Sequence, residues 1–156
     1  MCNNGGMGHD EQPLWRRAAS HTLHTSILLK AKLEDRLQTA EGLLLADHEA
    51  LLNIEHFGEP LRMSDIAHRL VLSRGGTTKV IDRLEEMGYV SRSPDPADRR
   101  ATMVGLTKAG RKALGRAKLV IDAGLEEIWS THLTDDQSIV LIEVMDRVLE
   151  ANRDWH

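Results

Sequence analysis

The sequence predicts a mainly α-helical fold that contains one small pair of β-strands. Three observations carry this prediction: apolar residues recur at helical spacing, capping residues and glycines bound those segments, and one stretch alternates in the manner of strands. At 156 residues the chain suits one domain with appended helices, and its 41% hydrophobic content can form a core. No run of about eighteen apolar residues is present, so no membrane span is expected.

Two helices open the predicted fold. The first covers residues 14–39, where leucine and isoleucine recur at helical spacing, and Gly42 interrupts it. Asp47 is the expected N-cap of the second helix, and Gly58 ends it. A polar, glycine-rich stretch over residues 1–13 precedes both helices and is expected to be a flexible tail.

Two short helices joined by a turn form the centre of the chain. Ser64 is the expected cap of the first, and Ser73 is the expected cap of the second. In the second helix Val80, Leu84 and Met87 form an apolar stripe at i, i+4 and i+7. Two helices connected in this way are the helix-turn-helix pattern. The other face of the second helix carries donors that suit phosphates and base edges, namely Arg74, Thr77, Thr78, Lys79 and Arg83. The alternative is an ordinary solvated helix face.

Two glycines, Gly75 and Gly76, are unusual so near the start of this second helix. A glycine in a helix interior costs about 1 kcal/mol relative to alanine, and less in the first turn. The functional interpretation is that the helix backbone approaches DNA closely, helped by the partial positive charge of the helix N-terminus. The alternative is a loose first turn.

A hairpin follows, and it contains a basic tip. Residues 89–93 and 102–106 alternate as strands, and the loop SPDPADRRA between them includes Asp98, Arg99 and Arg100. Although the chain has a formal net charge of −4, residues 62–116 hold twelve basic and six acidic residues. A basic middle between acidic ends is typical of a protein that meets a polyanion with one face. A chance cluster on a solvated surface is the alternative.

Two further helices end the chain. Thr107 caps a long helix that runs to about Thr131, and TDDQ, residues 134–137, is a capping box before the last helix. The last helix is apolar on more than one face, and so apolar a terminal helix needs a partner. The first helix and the last two are therefore predicted to form a dimer interface, together with Trp129 and Trp155.

With these elements in place, the sequence resembles the MarR (multiple antibiotic resistance regulator) family of winged-helix transcription factors. The resemblance is most specific in IAHRLVLSRGGTTKVIDRLEEMGYVSR and DPADRRATMVGLTKAGR. It implies a winged helix-turn-helix with N- and C-terminal dimerisation helices. On this basis the chain divides into a tail over 1–13, dimerisation helices over 14–39 and 118–151, and a DNA-binding lobe over 43–117.

The resemblance also implies a function. Such a protein is expected to be an obligate homodimer that binds a palindromic operator on double-stranded DNA, more commonly as a repressor, and that a small, often aromatic acidic ligand releases. An Asp-x-Arg pattern at the wing tip matters in the family, and here it is Asp98 and Arg100. Asp98 is expected to pair with Arg83 and orient the wing, Arg100 to enter the minor groove, and Arg99 to meet phosphate. Ser73 and Gly75 complete the predicted DNA-binding set.

The effector cleft of the family lies between the dimer helices and the DNA-binding lobe. Trp15 and Arg16, with His24 further along the same helix, would suit an aromatic carboxylate there. The alternative is an interface tryptophan beside a solvated pair, Arg16 and Arg17. His21 and His24 are also spaced as a possible metal pair, and His48, His56 and His68 could add ligands. The zinc-responsive branch of the family has histidines just after the wing, where this chain reads TKAGRKALGRAK. No metal or cofactor is predicted, and a metal-responsive regulator is an alternative.

Other classes of protein fit the sequence less well. It contains no Gly-x-Ser-x-Gly, no P-loop and no His-Glu-x-x-His motif, so catalysis is not expected. A winged helix that serves as a protein-interaction module is the remaining alternative, against which the basic helix and hairpin argue. Cys2 is the only cysteine, which excludes an internal disulfide and favours a reducing cytoplasm. The N-terminal stretch does not have the pattern of a signal peptide, so a cytoplasmic location is expected.

Overall fold

The computed structural model describes residues 12–58, 60–70, 73–98 and 100–152, and for Arg74 it describes the backbone alone. Most of the predicted tail, together with Arg99 and Trp155, lies outside the described residues. In chain order the elements are α1 (Leu14–Glu41), α2 (Leu45–Phe57), β1 (Leu61–Arg62), α3 (Met63–Arg69), α4 (Arg74–Glu86), β2 (Val90–Pro94), β3 (Thr102–Leu106), α5 (Lys108–Leu125), one π-helical segment (Glu126–Ser130) and α6 (Asp135–Ala151). The predicted mainly α fold with a small β wing is confirmed.

The core lies between α2, α4, α5, the C-terminal half of α1 and the inner face of the sheet. Its largest fully buried side chains include Leu37, Leu51, Ile54, Ile81 and Leu114. The predicted apolar stripe of α4 is confirmed, because Leu84 is fully buried, Val80 is buried and Met87 packs against the cluster. Among the described residues, no helix is both long and apolar enough to cross a membrane.

The sheet has the strand order β1-β3-β2, and both of its pairings are antiparallel. The hairpin pairs Val90 with Leu106 and Pro94 with Thr102, which confirms the predicted strands to within one residue. Strand β1 was not predicted. It contains only two residues, paired with Val104 and Met103, and two residues are too few to show an alternating pattern.

The end of α4 is joined tightly to the start of α5. Gly88 adopts φ +72°, and the amides of Gly88 and Tyr89 donate to the carbonyls of Glu85 and Leu84 in a Schellman motif. The Thr107 hydroxyl donates to the Gly88 carbonyl at 2.7 Å and accepts from the Gly110 amide at 3.0 Å. A Cβ atom on Gly110 would lie 2.0 Å from the Tyr89 carbonyl oxygen, so only glycine permits this close approach.

Two predicted N-caps are wrong by a few residues, whereas the last three are confirmed. Helix α2 begins at Leu45 because the Glu34 carboxylate accepts from the Leu45 amide at 2.6 Å; Asp47 is its third residue and accepts from the Leu44 amide at 2.8 Å. Helix α3 follows β1 directly, so Ser64 lies inside the helix. Ser73 and Thr107 cap α4 and α5 as predicted, and the box of Thr134 and Gln137 caps α6.

Candidate nucleic-acid interface

One face of α4 is buried and the other points outward. The exposed residues are Gly75, Thr78, Lys79, Asp82, Glu85 and Glu86. The N-cap Ser73 is itself exposed, and its hydroxyl accepts from the Gly76 amide at 3.1 Å. Helix α4 therefore presents its capped first turn beside a lysine and a threonine on one surface.

The prediction that Thr77 lies on this outward face is wrong. Its side chain is 1% exposed, and its hydroxyl donates to the Ser73 carbonyl at 3.2 Å. Thr77 stands at i, i+4 and i+7 with Ile81 and Leu84, which are the buried stripe of the helix. That spacing is the signal that could have placed Thr77 in the core from the sequence.

Arg83 is directed into the lobe rather than towards the wing tip. Its Nε lies 3.0 Å from each carboxylate oxygen of Asp47, and its Nη2 lies 2.5 Å from Oδ1. The Asp47 side chain is fully buried, and a buried carboxylate needs a partner of opposite charge. The predicted pairing of Asp98 with Arg83 is therefore wrong, because Asp47 already occupies the guanidinium. The pair joins the first turn of α2 to α4.

The wing tip is shaped by two carboxylates. Asp95 is buried, accepts from the Ala97 amide at 2.8 Å and pairs with Arg62 of β1 at 2.6 Å. The Ala97 amide, together with the Arg62 guanidinium, holds the pKa of the Asp95 carboxyl below its ordinary value, although burial opposes them. Asp98 accepts from the Arg100 amide at 3.0 Å, which closes a local turn. The Arg100 side chain is exposed beside this turn.

Salt bridges join the wing to α4, and the sequence analysis did not predict them. Arg92 of β2 reaches Asp82 at 2.6 Å and Glu85 at 2.5 Å, both on α4. Burial alone would lower the pKa of the Arg92 guanidinium, but the hydrogen bonds to the two carboxylates more than offset this, so its pKa is raised. Helix and wing are thus linked as the family pattern led us to expect, but the arginine is on the wing and the acids are on the helix.

Comparison with known proteins places this arrangement in a family. The MarR family model matches residues 44–102, which include α2, α3, α4 and β2. The chain is 36% identical to the HTH-type transcriptional regulator PrsX of Escherichia coli over 94 residues, which are 60% of this chain and 55% of PrsX. It is 30% identical to the uncharacterized HTH-type transcriptional regulator YfiV of Bacillus subtilis over 113 residues, 72% of this chain and 66% of YfiV.

Solved structures extend the likeness to nearly the whole chain. AbsC, a MarR family transcriptional regulator from Streptomyces coelicolor, superposes with a TM-score of 0.80 at 27% identity, covering 95% of this chain and 97% of AbsC. The chain belongs to the MarR family. Sco3205 from the same organism, solved in complex with DNA, superposes with a TM-score of 0.81 at 26% identity over 94% of this chain and 89% of Sco3205. The sequence match itself spans little more than half the length of PrsX.

In this MarR-family chain, the residues predicted for the effector are not brought together. Trp15 and Arg16 are exposed at the start of α1. His24 is exposed on the same helix, where its Nδ1 lies 2.9 Å from the Ser20 carbonyl oxygen. Nine residues separate Trp15 from His24, so they point to opposite sides of α1, about 13 Å apart along its axis. One copy of the chain cannot bind a small ligand with both.

The histidines of this MarR-family chain have differing surroundings. His21, His24, His56 and His68 are exposed, and within the described residues no group of three or more His, Cys, Asp or Glu side chains could hold a metal ion. His48 is buried, and neither of its ring nitrogens has a hydrogen-bond partner among the described residues. Burial and the nearby charge of Lys118 lower the pKa of His48, while Asp122 opposes them.

Proposed function

We propose that this chain is a transcriptional regulator that binds a palindromic operator on double-stranded DNA as a homodimer. The observation that carries the proposal is the outward face of α4, whose first turn and Lys79 lie on the surface of a lobe whose wing ends in the exposed Arg100. Sco3205, a similar fold at 26% identity, was solved with DNA, which supports the same role for this lobe. The predicted lobe over residues 43–117 would be the DNA-binding unit.

In this proposal α4 enters the major groove and the wing lies along the neighbouring minor groove. Lys79 and Arg74 would meet phosphates or base edges, and Arg100 would enter a narrow minor groove, where A·T-rich sequence deepens the negative potential. Arg99 would contact phosphate. Arg83 and Thr77 take a supporting role, since their side chains hold α4 in place from within the lobe.

The homodimer is supported by the outer helices, which are α6 and the N-terminal half of α1. Helix α6 has no buried residue, although it carries Ile139, Val140, Ile142, Val148 and Leu149. Contiguous apolar surface on such a scale marks an interaction site. A second copy would cover it and would place two α4 helices on successive major grooves of one duplex, about 34–36 Å apart.

Repression relieved by a small ligand is the regulatory mode that we propose. A ligand bound between the dimer helices and the lobe releases DNA only if it binds another state of the dimer more tightly than the DNA-binding state. In that other state the two lobes would stand at a different distance from each other. The ligand and the DNA then oppose each other with reciprocal coupling. Trp15 and Arg16 are the proposed contacts for an aromatic carboxylate. A site that also uses His24 would take Trp15 from one copy of the dimer and His24 from the other.

The test begins with the recovery of bound duplexes from a random DNA pool. Lys79→Ala should weaken binding to the selected operator by roughly 1–3 kcal/mol per half-site if the contact is to a base. Lys32→Ala removes the same charge from exposed α1 and is the matched control, which should leave affinity nearly unchanged. Salt-insensitive binding, or no selected sequence, would instead favour a protein-interaction module, since DNA binding must weaken steeply with salt.

A further inference from the structure

Arg92 makes an unusual set of contacts for a residue on a short strand. Its two terminal nitrogens bind different carboxylates, Asp82 at 2.6 Å and Glu85 at 2.5 Å. Its backbone amide also donates to the other carboxylate oxygen of Glu85, Oε1, at 3.3 Å. We name Arg92, Asp82 and Glu85 the wing clasp. One residue of β2 thus holds two residues of α4 that stand three apart on the same side of that helix.

The clasp adds a side-chain link between α4 and the wing to the short turn that joins them. Along the chain, α4 and β2 are joined by Met87, Gly88 and Tyr89 alone, and Gly88 has the positive φ of +72°. The turn fixes where β2 begins, and buried Val90 and Val104 anchor the base of the hairpin in the core. Neither of them ties the hairpin to the outward side of α4. Arg92 lies three residues beyond this turn and ties the hairpin back to the last two turns of α4.

Stability alone does not explain the clasp. The side chain of Arg92 is 26% exposed, and its two acidic partners are more exposed still, so the pairs contribute little to the free energy of unfolding. An arginine fork shared between two carboxylates does impose a geometry, because its planar donors accept partners only in certain directions. The clasp also neutralises Asp82, which lies on the outward face of α4 near Lys79 and would otherwise repel phosphate.

We propose that Arg92 is a positioning residue that sets the angle of the wing against α4 and does not itself contact DNA. The inference rests on the proposed function, since duplex DNA is the partner for which the angle matters. With the clasp closed, the exposed tip at Arg100 and the reading face of α4 keep a fixed separation. With the clasp open, the same contacts are available only in a fraction of wing orientations, and affinity falls by that fraction.

Carboxylate variants distinguish this role from a purely electrostatic one. Glu85→Gln and Asp82→Asn each raise the net positive charge of the surface, so an electrostatic role predicts tighter DNA binding. The clasp predicts weaker binding, by roughly 3- to 30-fold, and no additional loss when Arg92→Gln is combined with Glu85→Gln. Glu86→Gln removes the same charge from the same helix outside the clasp and is the matched control, which should bind at least as tightly as the parent. Tighter binding by Glu85→Gln would overturn the proposal.

The salt dependence of Arg92→Gln separates positioning from phosphate contact. If Arg92 met a phosphate, its loss would lower the slope of log affinity against log salt by about one. A positioning residue leaves that slope unchanged while it lowers affinity at every salt concentration. A charge-reversed pair, Arg92→Glu with Glu85→Arg, should restore most of the affinity that Arg92→Glu loses. A slope lower by about one, or no restoration, counts against the clasp.

A last measurement needs no DNA. In a Cys2→Ser background, spin labels at Ala97→Cys in the wing and Glu86→Cys on α4 report the distance between the two elements in the full chain. Arg92→Gln and Asp82→Asn should each broaden the distance distribution, whereas Lys32→Ala should leave it unchanged. If the parent chain fails to bind DNA but the distribution broadens, the proposed function is wrong and the clasp is real. An unchanged distribution in both clasp variants would refute the clasp itself.

Discussion

The winged lobe and the outer helices treat their apolar side chains in opposite ways. In the lobe, Leu51, Ile54, Ile81 and Leu84 are fully buried within one copy of the chain. In α6 no residue is buried, and Leu149 remains 68% exposed. The N-terminal half of α1 resembles α6, because its Leu23, Ile27 and Leu28 are also exposed, and α1 buries side chains only from Leu33 onward. The lobe has a complete core within one chain, whereas the outer helices leave an apolar surface that the proposed dimer would cover.

Helix α5 connects these two regions. Its inner residues Leu114 and Ala117 are buried in the lobe, while its far end leads through the π-helical segment to α6. Arg116 pairs with Glu41 of α1, and Arg36 of α1 pairs with Glu127 beyond α5. With the proposed dimer, we therefore expect the stability of the lobe to be a property of one chain and that of the outer helices to depend on protein concentration.

The largest effect is expected from charges placed on the outer helices. Ile142→Glu with Leu149→Glu should convert the proposed dimer to monomers. Each apolar side chain buried in the interface contributes about 1.5–3 kcal/mol, and each change occurs twice per dimer. The dissociation constant of the dimer should therefore rise at least about a thousandfold. Leu52→Glu, at an exposed apolar site on α2, is the control and should leave assembly intact. Sedimentation equilibrium measures both. A dimer that survives the double change would show that α6 is not the interface.

A core truncation in the lobe should behave differently. Leu84→Ala leaves a cavity at a fully buried position and should lower the free energy of unfolding by about 2–5 kcal/mol. Because that cavity lies within one chain, the loss should not depend on protein concentration. Leu149→Ala, the matched truncation in α6, should lower the midpoint of urea unfolding only in a concentration-dependent way. Equal concentration dependence for the two variants would remove the distinction between the regions.

The Asp47–Arg83 ion pair is expected to contribute to the stability of the lobe. Arg83→Ala leaves a fully buried carboxylate without its partner, a change that usually lowers the free energy of unfolding by about 3–5 kcal/mol. Here we expect a loss of about 2–3 kcal/mol, because water reaches the partly exposed arginine site. Adding Asp47→Asn removes the orphaned charge but keeps an acceptor for the Leu44 amide, so part of the loss should return. Urea unfolding at pH 7 measures each variant. A single change that costs nothing would show that Asp47 is solvated.

Local features of the fold were predictable, and pairings across the chain were not. Gly58 ended a helix and Thr107 began one as predicted, since each acts on residues within one turn. The partner of Arg83 lies 36 residues earlier in sequence, and nothing near either residue indicates it. The family pattern led to the expectation of Asp98 in its place, which the structure contradicts.

The candidate site shows the same limit. The outward position of Lys79 follows from helical spacing, and the same spacing, applied fully, would have assigned Thr77 to the core. The contacts of Arg92 depend on how far a hairpin folds back over a helix, a distance that only the assembled fold sets. The burial of Asp95 likewise depends on β1, a strand too short to predict.

A weaker, pH-dependent effect is expected from His48 in the lobe. Burial and then Lys118 lower its pKa, while Asp122 on the same helix as Lys118 opposes them. Since the unfolded chain binds a proton more readily, the contribution of neutral His48 is complete above about pH 6.5 and is lost as the pH falls from there through the folded-state pKa. His48→Leu should flatten the stability of the chain between pH 7 and 5, and the exposed His68→Leu should not. Parallel pH profiles for the parent and His48→Leu would contradict the burial of this histidine as the cause.

The smallest effect, and the one with opposite signs in two assays, concerns Gly75. A Cβ atom added there would meet nothing within 4 Å, and its φ is not positive, so no contact or backbone conformation of the lobe requires glycine. Gly75→Ala should therefore stabilise the free chain by about 0.5 kcal/mol, less than the full helix-interior value because the residue is in the first turn. If the backbone of α4 approaches DNA closely, the added methyl group should nevertheless weaken operator binding.

Gly115→Ala in α5 provides the control, since its Cβ also meets nothing within 4 Å and its gain should reach about 1 kcal/mol in a helix interior. It should stabilise the chain and leave DNA affinity unchanged. Thermal unfolding and operator titration at one salt concentration measure both variants. Should Gly75→Ala bind the operator as tightly as the parent, the first turn of α4 would not approach DNA, and the glycine would be only a loose start to the helix. If Gly75→Ala gains stability and loses DNA affinity, while Gly115→Ala gains stability and keeps the affinity of the parent, the first turn of α4 gives up stability for a surface that fits DNA.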